Sequence, residues 1–330
     1  MVFIRTTLMM IIMVQGFSAF AESYADREDV KKFADELAEL GSFTSSGVLT
    51  VFRQAEYKQK IIDAISRPAE RTLDWGEYQD IFLTKSRVSN GRSFMETYKD
   101  ALSRARKEFG VPPVIITAVI GVETMYGRYL GNYRVLDALT TLAFDYPKRS
   151  RFFRRELREF FILVQEGNHI IMELKGSYAG AMGYGQFIPS SYRRYAVDFD
   201  YDGVRDIWNN PVDAIGSVAN YLSEHGWKKG QIAVQVDADD VAESVFNVSL
   251  RPSSTVVEMQ RLGVKVNSEP NVSVSPMKLL GKDGAEYWLG FNNFYVITRY
   301  NHSKLYAMAV FQLSEALRKS ATDQNVGFYR

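Results

Sequence analysis

Apolar residues recur at helical spacing through much of the chain, and this pattern predicts a mainly helical protein. Segment 29–40 (DVKKFADELAEL) ends before Gly41, and segment 91–110 stops at Gly110, as helices often do. Pro112 and Pro113 then restart a helix, since proline is tolerated in a first turn. The next run, VIITAVIGVETMYG, is apolar nearly all round, which predicts a buried helix. Further helices are predicted at 135–144, 150–167, 213–226 and 305–319.

The pattern changes after Gly230 to short, alternating, β-branched segments punctuated by glycine and proline. Such segments are typical of a small antiparallel sheet, and they are QIAVQV, STVVEMQ, GVKVN, NVSVS and EYWLGF, between 231 and 291. We therefore predict an α+β fold that is predominantly α, with a small antiparallel β insertion at 231–290 between helical parts.

Composition excludes several classes of function. The 330 residues include 40 Lys+Arg and 39 Asp+Glu, so net charge gives no argument for a nucleic-acid partner. The chain has no cysteine, which excludes disulfides, thiol catalysis, thiolate metal sites and a lipid anchor on cysteine. Its three histidines are far apart, and neither H-E-x-x-H nor G-x-S-x-G occurs, which argues against zinc and serine hydrolases.

The N-terminus has the features of an export signal. Arg5 precedes a short apolar run, LMMIIMV, and small residues at Ala19 and Ala21 fit cleavage after Ala21. The alternative is a short N-terminal anchor, although the run is short for a membrane span. We predict a signal peptide at 1–21 and a location in the periplasm.

Glu123 is a carboxylate inside the apolar run at 114–127. Burying a carboxylate is costly unless it is hydrogen-bonded or used. Spacing alone leaves two interpretations open, a satisfied structural carboxylate or a working acid. An apolar pocket raises the pKa of a carboxyl group, which suits a general acid for glycosidic cleavage. Gly121 and Gly127 leave room for another chain or a ligand near this helix.

A glycine-rich segment, 174–192 (LKGSYAGAMGYGQFIPSSY), interleaves glycines with Ser177, Gln186 and aromatic residues. Its order is not G-x-G-x-x-G and no strand is predicted before it, so a dinucleotide loop is not indicated. Neutral hydrogen-bonding groups beside aromatic faces suit a carbohydrate, while a purely structural turn remains the alternative.

An acidic loop (198–213) resembles an EF-hand loop. Asp198, Asp200 and Asp202 occupy positions 1, 3 and 5, and Gly203 occupies position 6. Asp206 falls at position 9, but position 12 holds Asn209 rather than glutamate, so Asp213 would supply the closing carboxylate. Three close acids should repel unless a cation lies among them. We predict structural Ca²⁺ here, with a solvated acidic turn as the alternative, and no organic cofactor.

Together these motifs resemble the B-type lytic murein transglycosylases, a family with a lysozyme-like core. The resemblance rests on IGVETMYGR, LDALTTLAFDYP, the glycine-rich segment, NPVDAIGSVANYLSEHGW and FYVITRYNHSKLYAMAV, and it runs from about Tyr78 to about Leu317. Together with the pattern along the chain, it predicts five parts: the signal peptide, an N-terminal helical region (22–110), a lysozyme-like core (111–230), the β region (231–290) and a C-terminal part of the core (291–330).

The resemblance also implies roles for individual residues. Glu123 matches the single catalytic acid/base. Lys148 stands where the family usually has arginine, so a bidentate contact is lost, and Phe152 stands where it tends to have tyrosine. The residues that match glycan-contacting positions are Tyr78, Lys148, Arg149, Ser177, Gln186, Tyr221, Tyr300, Asn301 and Tyr306. The residues that match the calcium site are Asp198, Asp200, Asp202, Asp213 and, through its carbonyl, Val204.

The implied activity is cleavage of the bond between N-acetylmuramic acid and N-acetylglucosamine in peptidoglycan strands, with 1,6-anhydro ends. A monomer and partners among wall-synthesis or wall-remodelling proteins are also implied. Three alternatives stay open: a hydrolytic muramidase with Asp145 or another acid near Glu123, a non-catalytic peptidoglycan-binding scaffold, and a calcium sensor. The single acidic loop makes the sensor the weakest of these.

Overall fold

The computed structural model describes residues 23–67, 72–238 and 240–319. The predicted signal peptide lies outside these residues. The chain divides into two compact units between Ala55 and Glu56, and the domain boundaries suggested by the sequence stay predictions. Among the described helices, none is long and apolar enough to cross a bilayer.

The first unit is a small helical pair. After a 3₁₀ turn, helix α1 spans Glu28–Ala38 and helix α2 spans Ser45–Phe52. The Thr44 side chain accepts a hydrogen bond from the Gly47 N–H and so caps α2. Phe33 and Phe52 pack edge to face, with ring centroids 5.9 Å apart, and join the two helices through their buried faces.

The second unit contains the remaining helices and the sheets. Its described helices are α3 (Gln59–Ile65), α4 (Trp75–Phe82), α5 (Lys85–Thr97), α6 (Lys99–Phe109), α7 (Pro113–Thr124), α8 (Val135–Asp145), α9 (Ser150–Glu166), α10 (Pro189–Tyr195), α11 (Pro211–Glu224), α12 (Val256–Arg261), α13 (Asn292–Tyr300) and α14 (Lys304–Arg318).

Segment 91–110 forms parts of two helices rather than one. α5 and α6 meet at Tyr98, whose φ of −110° and ψ of 27° lie outside the helical region. The Tyr98 ring packs on Phe94 at 4.7 Å, which fixes the bend. α6 ends as predicted at Gly110, which adopts a φ of +73° that favours glycine.

Helix α7 forms the centre of this unit. It packs against α5, α6, α11 and α14, and almost all of its residues are buried. Burial of each isoleucine side chain contributes about 1.5–3 kcal/mol, so the run of apolar residues fixes the helix in place. Pro113 occupies its first turn, as predicted.

Within the described residues, two antiparallel sheets accompany the helices. In the smaller sheet, β1 (Tyr133–Arg134) pairs with β2 (Lys175–Gly176). The larger sheet has the order β3-β6-β5-β4. Its hairpin places Gly281 opposite Gly284, and its apolar face packs with α12 in a separate hydrophobic cluster. Its strands are β3 (Ala233–Val236), β4 (Ser254–Thr255), β5 (Ser273–Gly281) and β6 (Gly284–Gly290).

Two predicted strands are wrong, although the predicted fold class is confirmed. STVVEMQ is extended only at Ser254–Thr255 and then forms α12, because Thr255 and Glu258 make a reciprocal capping box. Within the described residues, GVKVN forms no strand, and Lys265 only makes an isolated bridge with Asp237.

Candidate active site

Glu123 is the penultimate residue of α7 and is half-buried at the helix end, while most of the helix is fully buried. The Tyr306 hydroxyl, from α14, donates a hydrogen bond of 2.6 Å to Glu123 Oε1. Tyr306 is only 2% exposed. A carboxylate at the edge of an apolar core, with one oxygen fixed by a buried phenol, is oriented for proton transfer.

Tyr300 and Tyr221 complete an aromatic cluster beside Glu123. The Tyr300 ring is stacked parallel to Tyr306 with centroids 6.3 Å apart, and Tyr221 lies 4.7 Å from Tyr300. The Tyr300 hydroxyl donates to the Gly185 carbonyl, and the Tyr221 hydroxyl donates to the Arg299 carbonyl, each at 2.6 Å. These bonds fix both rings in place.

Burial is the main cause that raises the pKa of all three tyrosines, and the nearby negative charge of Glu123 raises the pKa of each further. The phenols therefore stay protonated at physiological pH and act as hydrogen-bond donors. Among the described residues, Glu123 is the carboxylate whose charge raises the pKa of all three tyrosines.

The backbone turns sharply just after Glu123. Met125, Tyr126 and Gly127 have φ angles of 52°, 61° and 88°, a left-handed run that ends α7. The Thr124 hydroxyl donates to the Tyr184 carbonyl at 3.0 Å and accepts from the Gly127 N–H at 3.0 Å. The helix end is thereby tied to the glycine-rich segment.

Tyr126 fills the space that two glycines leave open. A Cβ on Gly121 would lie 2.6 Å from the Tyr126 hydroxyl, and a Cβ on Gly91 would lie 2.3 Å from it. The hydroxyl donates to the Arg87 carbonyl at 2.9 Å. The expected room beside Gly121 is thus occupied by Tyr126, and the space beside Gly127 by Tyr184, both from this same chain.

The glycine-rich segment forms a tight loop beside the aromatic cluster. The Ser177 hydroxyl accepts hydrogen bonds from Ala179 N–H (3.3 Å) and Ala181 N–H (3.1 Å). Gln186 has a φ of 49°, and its amide donates to the Leu130 and Gly183 carbonyls at 3.2 and 2.9 Å. In this structure both side chains hold the loop in shape.

Gly185 has a role that sequence reasoning missed. A Cβ on Gly185 would lie 2.7 Å from the Tyr300 hydroxyl and 3.1 Å from Val218. The absence of a side chain therefore lets Tyr300 reach the Gly185 carbonyl and join the loop to α13.

The other predicted contact residues lie in different environments. Tyr78, on α4, is 1% exposed and close enough to Tyr306 to contribute to raising the pKa of that phenol. Asn301 is half-buried just after α13. Lys148 and Arg149 are exposed on the turn before α9, and among the described residues no hydrogen bond joins them to the other predicted site residues.

The acidic loop places three carboxylates together. Asp198, Asp200 and Asp202 can bring one ligand oxygen each within 4.8 Å of one another. Asp198 accepts hydrogen bonds from Asp202 N–H (3.1 Å) and Gly203 N–H (2.8 Å), and Gly203 turns the chain with a φ of 91°. Clustered oxygen donors of this kind suit a hard cation.

Asp213, the predicted closing ligand, is not one of these three. It is fully buried at the start of α11, and its carboxylate accepts from Phe199 N–H at 2.6 Å and Asp206 N–H at 2.8 Å. Burial raises its pKa, with the charge of Asp200 adding to the effect, while the backbone hydrogen bonds oppose it. In this structure Asp213 fastens the two arms of the loop to α11.

This predominantly helical fold matches the lysozyme-like fold of solved lytic transglycosylases, which places the chain in the class of glycan-cleaving enzymes. The family model described as the transglycosylase SLT domain matches residues 25–315. The chain therefore belongs to the transglycosylase SLT-domain family, as a lytic murein transglycosylase of the B type, a lyase that acts on peptidoglycan.

Two similar proteins are named lytic transglycosylases. The membrane-bound lytic murein transglycosylase B of Escherichia coli (strain K12) is 40% identical over 309 residues, covering 89% of this chain and 84% of that protein. The soluble lytic transglycosylase SltB1 from Pseudomonas aeruginosa is 47% identical with a TM-score of 0.83, covering 88% of this chain and 98% of that one.

Two further solved structures carry ligands. The Escherichia coli lytic transglycosylase Slt35 in complex with calcium is 39% identical, with a TM-score of 0.81, and covers 89% of this chain and 94% of that one. SltB3 from Pseudomonas aeruginosa in complex with NAG-anhNAM-pentapeptide is 29% identical, with a TM-score of 0.73, and covers 91% of this chain and 80% of that one.

Proposed function

We propose that this enzyme cleaves the β-1,4 bond between N-acetylmuramic acid and N-acetylglucosamine and leaves a 1,6-anhydro end, with Glu123 as the only acid/base. The hydrogen bond from Tyr306 to Glu123 Oε1 carries the proposal, because it orients one carboxyl group inside an aromatic cluster. The NAG-anhNAM-pentapeptide bound to SltB3 supports a product of this kind. In the cell, this reaction would serve remodelling or turnover of the peptidoglycan cell wall.

The reaction needs two proton transfers at one residue. Protonated Glu123 gives its proton to the glycosidic oxygen as the bond from C1 to that oxygen breaks. The N-acetyl group of the muramoyl sugar stabilises the cationic centre at C1. The Glu123 carboxylate then takes the proton of the C6 hydroxyl, whose oxygen bonds to C1. No water is consumed, and the intramolecular attack benefits from proximity.

The protein supplies orientation in both steps. Tyr306 donates to Glu123 Oε1 and so stabilises the carboxylate that remains after the first transfer. Tyr300 and Tyr221 are fixed in the aromatic cluster beside Glu123 by the hydrogen bonds from their hydroxyls to backbone carbonyls. We propose that Lys148, Arg149, Ser177, Gln186 and Asn301 contact the glycan, as the family resemblance implies. Tyr78, which the resemblance also implies, is buried in this structure and has no surface for a glycan.

Mass spectrometry of murein sacculi digested by the purified chain tests the reaction. We expect muropeptides one water lighter than hydrolysed ones, and we expect Glu123→Gln to abolish turnover while binding to sacculi survives. Glu108→Gln, an exposed glutamate on α6, is the matched control and should leave turnover unchanged.

The other outcomes identify the alternatives. Reducing-end products would assign a hydrolytic muramidase, which usually needs a second carboxylate such as Asp145. Binding to sacculi with no products from the parent chain or from Glu123→Gln would indicate a non-catalytic scaffold. Unchanged cleavage by Glu123→Gln would remove Glu123 from the mechanism.

We further propose that the acidic loop binds structural Ca²⁺ through Asp198, Asp200, Asp202 and the Val204 carbonyl, with Asp213 closing the site. The close approach of the three carboxylates supports this, as does the calcium complex of Slt35. Bound there, the ion would cross-link the loop and neutralise its charge.

We infer a periplasmic enzyme, because the first 21 residues have the pattern of an export signal. The substrate partner is the peptidoglycan strand. A monomer, and partners in wall synthesis or remodelling, follow from the family resemblance.

A further inference from the structure

Helix α9 separates its charges between two faces. Its acidic side chains all face protein partners: Glu156 is buried and accepts from the Ser190 N–H and hydroxyl at 3.0 Å each. Glu159 and Glu166 both pair with Arg193 of α10. The negative charge of the helix is therefore committed to packing α9 against α10.

The adjoining face carries three arginines, of which Arg155 lies one turn from Glu159 and, by its charge, opposes the raised pKa of Glu156. Arg151, Arg155 and Arg158 follow i, i+4, i+7 spacing, which places them on one face, and all three are exposed. We call these three residues the arginine stripe. In the part of the chain that the structure describes, none of them forms an ion pair. Seven residues of helix span about 10 Å, so the stripe presents three guanidinium groups along one line.

An aromatic ring links the stripe to the turn before α9. Phe152 lies under two guanidinium groups, with Arg149 at 4.3 Å and Arg155 at 5.8 Å from its centroid. Such stacking limits the motion of the planar guanidinium and keeps its N–H groups available at the edge. The stripe is thus continuous with Arg149, a residue already proposed to contact the glycan.

The chemistry of the stripe favours carboxylates over a membrane surface. Arginine matches a carboxylate with two parallel hydrogen bonds. A membrane-binding helix also needs exposed apolar residues to insert, and none of the large exposed apolar side chains of the described residues lies on α9. Because the whole chain holds nearly equal numbers of acids and bases, general positive charge does not explain this local excess.

We propose that the arginine stripe binds the carboxylates of the acidic stem peptides carried by murein strands, as a site additional to the glycan groove. The proposal rests on the proposed function for its substrate class. It assigns to α9 a preference for peptide-bearing over peptide-free glycan.

Binding of the full chain to two murein preparations tests this site. One preparation keeps its peptides, and the other has been stripped of them by an amidase. All proteins carry Glu123→Gln, so that the substrate survives. We expect the triple variant Arg151→Gln, Arg155→Gln, Arg158→Gln to lose about tenfold in affinity for peptide-bearing murein, with binding to stripped glycan unchanged.

A matched control removes the same charge elsewhere. Arg106, Arg251 and Arg261 are exposed on other elements, and their triple glutamine variant should bind like the parent. An equal loss from this control would overturn the proposal, because it would show a net-charge effect. An equal loss on stripped glycan would overturn it too, since the stripe would then contact sugars.

Two further measurements separate this proposal from a membrane-binding surface and from a failure of the proposed function. Stripe-dependent binding to vesicles of anionic phospholipid, with no effect on murein, would overturn it in favour of a membrane surface. Products released despite Glu123→Gln would instead count against the proposed function, and the affinities of the two murein preparations at early times would still report on the stripe.

Discussion

At the scale of single residues, the bond between Tyr306 and Glu123 makes a sharp prediction. We expect Tyr306→Phe to lower kcat about 10- to 100-fold, because a hydrogen bond to a charged group contributes about 1.5–3 kcal/mol, while KM changes little. Steady-state kinetics on sacculi would measure this, with Tyr295→Phe of α13 as the control. A raised KM with unchanged kcat would instead place Tyr306 in glycan binding.

Sequence reasoning located Glu123 because a carboxylate inside an apolar run is conspicuous. It could not locate the partner from spacing, since Tyr306 is 183 residues away and only the family resemblance indicated it. The left-handed conformation of Met125 and Tyr126 gave no signal either, because neither is a glycine or asparagine. Their conformation follows from tertiary contacts of Tyr126.

At the scale of elements, the end of α7 depends on the space beside Gly91 and Gly121 that the Tyr126 side chain fills, which we call the Tyr126 slot. We expect Gly121→Ala to destabilise the protein by about 1–3 kcal/mol, because its Cβ would overlap the Tyr126 ring. Chemical denaturation would measure this, and activity should fall with it as Glu123 shifts. Adding Tyr126→Leu should recover part of the stability; no recovery would show that the ring is not the cause.

The acidic loop between α10 and α11 predicts a response to calcium. We expect Ca²⁺ at 100 times its dissociation constant to add about 2.7 kcal/mol of stability, seen as a raised Tm, with a smaller effect from Mg²⁺. Asp198→Asn with Asp200→Asn should abolish the response, and Asp283→Asn, in the β5–β6 turn, should keep it. A Tm unaffected by Ca²⁺ in the parent chain would contradict the assignment.

Most elements could be predicted because their periodicity is local. The errors occurred where short signals competed: β-branched residues at 254–260 favoured a strand, but the capping box of Thr255 and Glu258 began a helix. The bend at Tyr98 was also missed, because the helical pattern continues on both sides of it. The T-x-x-E sequence from Thr255 to Glu258 is the local signal that predicts the start of α12.

At the scale of the whole molecule, buried and exposed carboxylates give opposite dependences of stability on pH. Burial raises the pKa of Glu156, so its contribution is present at low pH and is lost as pH rises through the folded value. The hydrogen bond from Arg193 lowers the pKa of Glu166, so its contribution appears as pH rises. We expect the Tm difference between parent and Glu156→Gln to decrease from pH 4 to pH 7.

The matched variant is Glu166→Gln, for which the Tm difference should increase over the same range. Differential scanning calorimetry at a series of pH values would measure both. Slopes of the same sign in the two variants would show that global charge, rather than these two environments, sets the acid response.

The Tyr126 slot also has an evolutionary consequence. Gly91, Gly121 and Tyr126 share one volume, although the first and last are 35 positions apart in the sequence. A descendant with a larger side chain at either glycine position must therefore replace the tyrosine with something smaller. Across homologues the three positions should therefore covary.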